Sequence, residues 1–295
     1  MRIYEKKTSG ALTQLELKQA RYQVVYWLLF VFLLLITVIC LLPTIWVLLS
    51  AFKSTEEYLR TPPTFWPEEW HFEKLAKVWE KGNFLRVYFN TIVMAAGNLV
   101  FCILSCGLAG YVISRLKPKG SRAVFAVILW TLMMPNTVSQ VPLFMTFLDF
   151  PYLHFNLSDT YFPMWMMAGA NAFNILLFKS SFDAVPKSYI EAARIDGARN
   201  TTIFFRIVVP LSIPVIMVVS IFTINATWGD FFWPYLIIKE PSIQPLGLKI
   251  FELESQLTVD EYMTALLFSI LPSVIIYLCL QDYIMKGVSV GGIKE

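Results

Sequence analysis

The chain has 295 residues, of which 57% are hydrophobic, 16% are aromatic and only 15% are charged, with a net charge of +3. Soluble domains carry about 25% charged residues, so this composition excludes an ordinary soluble domain. The small positive excess lies between long apolar stretches, where it indicates membrane topology, and we predict no nucleic-acid partner.

Six stretches without Asp, Glu, Lys or Arg each hold roughly the twenty residues that a helix needs to cross a bilayer. They lie at residues 22–52, 87–114, 123–148, 160–178, 207–229 and 262–281. All six are apolar on every face, whereas the strands of a membrane barrel alternate over ~10 residues. Because backbone amides in lipid must be satisfied internally, the sequence predicts an all-α protein of the lipid bilayer with six transmembrane helices.

The basic residues predict the orientation of these helices. The amino-terminal tail and the loops around Arg115 and Glu191 are rich in Lys and Arg, whereas the connection at 149–159 has neither. The rule that cytoplasmic loops are positive places both termini in the cytoplasm, although the loop at 53–86 also carries several basic residues. We predict cytoplasmic tails at 1–22 and 286–295 and a membrane domain at 23–285. The first apolar run is too long for a cleaved signal peptide, so we expect a retained helix.

Further local features follow in chain order. The Pro- and Trp-rich segment 61–70 suits the membrane interface, and a short amphipathic helix is expected at 72–79. Small residues such as Gly97 and Gly110 predict that the second helix packs closely in the centre of the bundle. The third helix is expected to break at Pro135 and again at Pro142.

Polar side chains at membrane depth are the candidates for a substrate path. In chain order they are Asn136, Gln140, Asn171, Asn225, Trp228 and Asp230. An indole ring can stack on a pyranose while an amide and a carboxylate bind its hydroxyl groups. Asn225 and Trp228 can share a helix face, whereas Asp230 need not. Packing alone explains each position about as well.

Cys102 and Cys106 lie four residues apart on one predicted helix face. Such a pair is compatible with a metal or redox site, but His71 and His154 fall in predicted outside loops and supply no further ligands. We interpret both cysteines as packing residues and predict no metal site. The sequence contains no phosphate-binding Gly-rich loop and no nucleophile elbow, so we expect neither catalysis nor a cofactor on this chain.

The polar segment 183–208, between the fourth and fifth predicted spans, is termed the elbow. Glu191, Ala192 and Ala193 favour a helix after Pro186, and Gly197 permits a sharp change of direction. A second short helix, apolar on one side, is expected before the fifth span. A plain connector between two spans needs no segment of this length and order.

The elbow contains the pattern Glu-Ala-Ala, three residues, Gly, nine residues, Ile, one residue, an aliphatic residue and Pro. This pattern resembles the signature of permease subunits of binding-protein-dependent ABC importers, with Val209 where Leu is typical. In that family the elbow is the coupling element that docks on a separate ATPase subunit. The resemblance implies this role for Glu191, Ala192, Ala193, Asp196, Gly197, Arg199, Ile207 and Pro210.

The resemblance covers almost the whole chain and is strongest to the carbohydrate branch, in particular the second, six-helix subunit of maltose-type importers. It is carried by YVISRLKPKGSR, MMPNTVSQVPLF, TWGDFFWPYLI and LQDYIMKGVSVGGIKE, and it departs at Gly229, where that branch often has Asn. It implies the type I importer permease fold in a bacterial cell membrane. It also implies that the carboxyl-terminal tail contacts the ATPase through Gly287, Ser289, Gly291 and Gly292.

The same resemblance implies a set of partners. These are a second homologous permease, two ATPase subunits that bind ATP and Mg²⁺, an extracytoplasmic solute-binding protein that contacts the outside loop at 245–254, and a sugar or oligosaccharide. Two alternatives stay open: a permease for a non-sugar solute, and a membrane-embedded enzyme or scaffold.

Overall fold

The computed structural model describes residues 20–291, without the side chains of residues 20–22, 136, 280 and 282–291. Within that part the chain forms helices and turns and no strand. The helices are α1 (Ala20–Ser50), α2 (Thr55–Leu59), α3 (Glu73–Gly82), α4 (Phe84–Leu116), α5 (Ser121–Met133), α6 (Asn136–Leu148), α7 (Phe162–Gly169), α8 (Ala172–Ala184), α9 (Lys187–Ile195), α10 (Asn200–Leu211), α11 (Ile213–Gly229), α12 (Phe232–Ile237), α13 (Leu246–Leu253) and α14 (Val259–Gly291).

Three helices of the described part are long and apolar enough to cross a membrane: Gln23–Ser50, Phe84–Leu116 and Val259–Cys279. Two bent pairs raise the number to five if each pair is one span. These pairs are Ser121–Met133 with Thr137–Leu148, bent by 110°, and Asn200–Leu211 with Ile213–Gly229, bent by 77°. The all-α membrane fold is confirmed, whereas the number of six spans stays a prediction.

The fourth predicted span is divided between α7 and α8. Asn171 stands at the division, and its side-chain oxygen accepts a hydrogen bond from the backbone N–H of Asn174 at 3.0 Å. This is the standard cap of a helix amino terminus, so the side chain starts a new helix where an apolar residue would continue the old one.

The expected break at Pro135 is present, because α5 ends at Met133 and α6 begins at Asn136. The second expected break, at Pro142, is wrong, since α6 runs through that residue. A proline costs one backbone hydrogen bond, and membrane helices tolerate it where local adjustments satisfy the freed groups.

Helix α4 is central to the bundle, as its small residues predict, and packs against α7, α8 and α11. A Cβ atom on Gly97 would lie 2.1 Å from the ring of Trp165, and one on Gly110 would lie 2.8 Å from Cβ of Phe178. Two π-helical turns, Cys102–Cys106 and Val112–Leu116, interrupt α4. They change which residues of α4 face α8, because each π turn holds more residues than an α turn.

The expected amphipathic helix is present as α3, which packs beside the start of α14. It packs on the bundle through Val78, which is fully buried against Phe84. Lys74 also pairs with Asp260 of α14 at 3.0 Å, and both side chains are largely buried. The segment 245–254, predicted to lie outside, contains α13, which buries Leu246 and Leu253 in the same core.

Candidate functional sites: the elbow and a cleft between helices

The elbow folds into the two predicted helices, α9 and the start of α10. Helix α9 follows Pro186 and turns one face inward, where Ile190 and Ala193 are buried. The outward face is exposed and carries Glu191, Ala192 and Ile195, of which Ile195 is 87% exposed. The elbow therefore presents a mixed polar and apolar surface on a packed base.

Gly197 ends α9 in the left-handed conformation, with φ +77°. The N–H of Gly197 donates to the carbonyl of Arg194 at 3.0 Å, and the N–H of Ala198 donates to that of Ala193 at 2.9 Å. This pair of bonds is the Schellman motif, in which glycine is the preferred residue because it has no Cβ penalty at positive φ. A Cβ atom at Gly197 would meet nothing within 4 Å, so the requirement is one of backbone conformation and not of space.

The base of the elbow is fixed to the last turns of α4. The Arg115 guanidinium donates to the carbonyl oxygens of Phe182 and Val185, which satisfies the carboxyl end of α8. The Ser114 hydroxyl donates to the carboxylate of Asp183 at 2.6 Å. These contacts bracket the start of the elbow and attach it to the end of α4.

Asp183 is also paired with Lys179 at 2.6 Å. Partial burial acts to raise the pKa of this carboxyl, but the hydrogen bonds from Lys179 and Ser114 and the charge of Lys179 outweigh it and hold the pKa below its usual range. Asp183 is therefore ionised at neutral pH and keeps both contacts.

The second arm of the elbow packs on α4 through aromatic rings. The Phe204 ring lies 4.9 Å from the ring of Tyr111, and the Tyr111 hydroxyl donates to the carbonyl of Asn200 at 3.3 Å. Ile203 and Val208 are fully buried beside them. Thus both arms rest on one helix and form one packed unit with it.

The predicted elbow residues fall into two groups. Glu191, Ala192, Asp196, Gly197, Arg199 and Pro210 are exposed, whereas Ala193 is buried and Ile207 is half-buried. The last two support the elbow from inside. Gly287, Ser289 and Gly291 lie in the final turns of α14, without described side chains, and Gly292 lies outside the described residues.

A second candidate site is a cleft of about 810 Å³ between α4, α7, α8 and α11, and we call it the cleft. Its polar lining consists of amide, hydroxyl and carboxylate groups, from Asn98, Asn171, Asn174, Thr223, Thr227 and Asp230. Its apolar lining includes three aromatic rings, from Phe173, Phe222 and Trp233. A cavity of this size with few polar groups on apolar walls is typical of small-molecule sites.

Polar contacts tie the helices together beside the cleft. The Asn98 amide donates to the Thr227 hydroxyl at 2.7 Å, and that hydroxyl donates to the carbonyl of Thr223 at 2.8 Å. The sulfur of Cys102 accepts from the Asn174 amide at 3.1 Å and from the Thr223 hydroxyl at 3.6 Å. The fully buried cysteine thus bridges α8 and α11 as well as filling space.

The predicted substrate-path residues separate in the structure. Asn171 and Asp230 line the cleft, whereas Gln140, Asn225 and Trp228 do not. Trp228 packs instead towards the core of α3, α13 and α14. The side chain of Asn136 lies outside the described part. A substrate role for each of these residues stays a prediction.

Most of the cleft lining was not predicted from the sequence, and Trp233 and Asn98 are the two missed residues that carried a sequence signal. Trp233 lies in the same TWGDFFWP stretch as Trp228. The prediction therefore identified the correct stretch but selected Trp228 as the ring that lines the path, in place of Trp233. Asn98 is an amide in the stretch 92–104 of α4, which is otherwise apolar, and a polar group in such a stretch marks a functional candidate in a membrane.

The fold and the elbow together define a multi-helix membrane protein with an elbow packed against the end of α4. Residues 102–290 match the family described as the inner membrane component of binding-protein-dependent transport systems. The chain belongs to this family, whose members are ABC transporter permease subunits and not enzymes themselves.

Relatives and solved structures agree with this assignment. The chain is 29% identical over 265 residues to the diacetylchitobiose uptake system permease protein NgcG of Streptomyces coelicolor, covering 88% of this chain and 86% of that protein. It is 27% identical to the arabinooligosaccharides transport system permease protein AraQ of Bacillus subtilis, covering 89% and 94%. The fold is similar to a chain of a bacterial ABC transporter involved in the import of the acidic polysaccharide alginate, with a TM-score of 0.79 and 22% identity over 90% of this chain and 98% of that chain.

Proposed function

We propose that the chain is one permease subunit of an ATP-driven, binding-protein-dependent importer of sugars or oligosaccharides. It pairs with a second permease subunit, and the two elbows dock on two ATPase subunits, which bind ATP and Mg²⁺. An extracytoplasmic solute-binding protein delivers the substrate. Both termini lie in the cytoplasm of a bacterial cell.

The observation that carries this proposal is the rigid attachment of an exposed elbow to a central helix. Arg115 and Tyr111 hold the two arms of the elbow, and both belong to α4, which also carries Asn98 of the cleft. A partner that moves the elbow therefore moves one wall of the cleft as a rigid body, which is the mechanical requirement for alternating access.

The sugar class is supported by the relatives, which are named for diacetylchitobiose and arabinooligosaccharide transport. The lining of the cleft agrees with it, because aromatic rings, amides and a carboxylate are groups that bind polyhydroxylated molecules. No part of this proposal requires a cofactor on the chain itself.

The docking of the elbow is tested by crosslinking in the intact complex. Ala192 is exposed on α9, and Ala192→Cys carrying a benzophenone maleimide is expected to crosslink to an ATPase subunit on illumination. Ser255→Cys, on an exposed turn before α14, is the matched control and should give no such adduct. Equal crosslinking from both positions, or labelling of Ala192→Cys in whole cells by an impermeant reagent, would overturn the assignment.

A further inference from the structure

Asn98 is a polar group of the cleft that the contacts within the chain leave incomplete. Its side chain is 8% exposed, and its Nδ2 donates to the Thr227 hydroxyl. Its Oδ1 is buried and accepts no hydrogen bond from the described part of the chain. A buried acceptor without a donor is unfavourable, so its retention at the wall of a cleft points to a ligand that supplies a hydroxyl group.

Three aromatic rings line the same cleft as this acceptor. Phe173 and Phe222 are about half exposed, with ring centroids 6.4 Å apart, and Trp233 lines the same space. Apolar ring faces pack on the C–H faces of a pyranose, whereas they offer nothing to a strongly hydrated ion. The combination fits a sugar ring better than an inorganic anion or an amino acid.

The charge of the cleft determines which kinds of sugar it can accept. Asp230 lines the cleft, and its Oδ1 accepts from the backbone N–H groups of Phe232 at 3.1 Å and Trp233 at 3.4 Å. These bonds hold the carboxylate in place and use only part of its acceptor capacity. Among the described residues that line the cleft there is no Lys, Arg or His to offset its charge.

The amino terminus of α8 also faces the cleft and acts in the opposite sense. A helix amino terminus is equivalent to roughly half a positive charge, and here Asn171 already caps the N–H of Asn174. The full negative charge of Asp230 therefore dominates. An anionic sugar in the cleft would therefore be repelled by the ionised carboxylate of Asp230.

We propose that this chain itself holds one sugar unit of the substrate in the cleft, with Asn98 as a hydroxyl acceptor, and that Asp230 restricts the unit to uncharged sugars. This inference rests on the proposed function and goes beyond it by placing the sugar on this subunit and excluding uronates. The structural neighbour named for alginate import shares the fold, and the charge of the cleft separates the substrate class of this chain from an acidic one.

The test uses the complete complex in proteoliposomes with its binding protein. Uptake is first measured for raffinose, arabinotriose, diacetylchitobiose, lactose and trigalacturonate. Ala226→Cys, at an exposed lining position, is then labelled with a membrane-impermeant thiol reagent in a background in which the exposed Cys40 and Cys279 are replaced by Ser. Ser255→Cys serves as the control outside the cleft.

We expect the transported neutral sugar to slow labelling of Ala226→Cys by about tenfold or more and to leave Ser255→Cys unchanged. Trigalacturonate should give no protection until Asp230→Asn removes the charge. Asn98→Ala and Trp233→Ala should raise the protecting concentration by about tenfold, the loss of one good polar or ring contact, and Trp233→Phe should raise it less.

Each opposite result overturns the inference. Protection of the Asp230 form by trigalacturonate contradicts the charge selection. A neutral sugar that is transported without protecting Ala226→Cys contradicts the site, while the proposed function stands. If none of the sugars drives ATP-dependent uptake, the proposed function fails and this inference fails with it.

Discussion

Gly197→Val isolates the backbone requirement at the end of α9. The residue has φ +77° and closes a Schellman motif, and a side chain there meets nothing within 4 Å. The left-handed conformation costs an L-residue roughly 1–2 kcal/mol, which is about a tenfold shift in the balance between the native elbow and other conformations. β-branched residues are affected most.

The matched control is Gly197→Asn, because Asn visits the left-handed region readily but adds a side chain of similar size. We expect Gly197→Val to lose most ATP-driven uptake in proteoliposomes while the complex still assembles by size-exclusion chromatography. Gly197→Asn should keep most of it. Uncoupled ATP hydrolysis in the Val variant would place the defect at the transmission of movement.

Two results would refute this reasoning. If Gly197→Val transports as well as the parent, the conformation of this residue does not limit coupling. If Gly197→Asn is as defective as Gly197→Val, added bulk on the docking surface matters and backbone strain does not.

Three further predictions concern the support of the elbow and the bundle. Arg115→Met removes charged hydrogen bonds worth about 1.5–3 kcal/mol each and should increase trypsin cleavage in the elbow, with Arg115→Lys intermediate; unchanged cleavage in both would contradict the clamp. Gly97→Leu should prevent assembly, because even its Cβ would lie 2.1 Å from the ring of Trp165, whereas Gly107→Ala, with open space, should assemble normally by chromatography. The lowered pKa of Asp183 contributes stability that is present above its unfolded pKa and is lost as pH falls through the lower folded value. Protection of the elbow in hydrogen exchange should therefore be constant near neutrality and fall only below about pH 4. In Asp183→Asn that acid-dependent loss of protection should disappear.

Local signals explain why the elbow could be predicted well. Helix formers after Pro186, a glycine and a second apolar face act within a few residues of each other, and the structure places α9, Gly197 and α10 accordingly. The expectation of a second break at Pro142 was wrong because the outcome there does not depend on neighbouring residues alone. Whether a proline ends a helix depends on what satisfies the freed carbonyl, and distant packing decides that.

The cleft likewise has features that the local sequence predicted and others that distant packing decided. The sequence identified the stretch at the end of α11 but selected Trp228, whereas Trp233 lines the cleft and Trp228 packs in the core of α3, α13 and α14. Both rings are equally suited to a sugar by composition. The rotation of α11 and the turn at Asp230, set by contacts with α4 and α13, determine which ring faces the open space.

The sequence by itself determined the membrane class, the helical fold, the elbow and the family pattern, because charge distribution, hydrophobic run length and local backbone preference are properties of neighbouring residues. Only the tertiary structure decided that Arg115 clamps the elbow to α4, that α13 buries Leu246 and Leu253, and that Asn98, Asp230 and Trp233 line one cleft. Asn98 and Trp233, for example, lie more than a hundred positions apart in the chain. Their meeting follows from close packing of several helices, and no local pattern encodes the angle at which those helices turn towards each other.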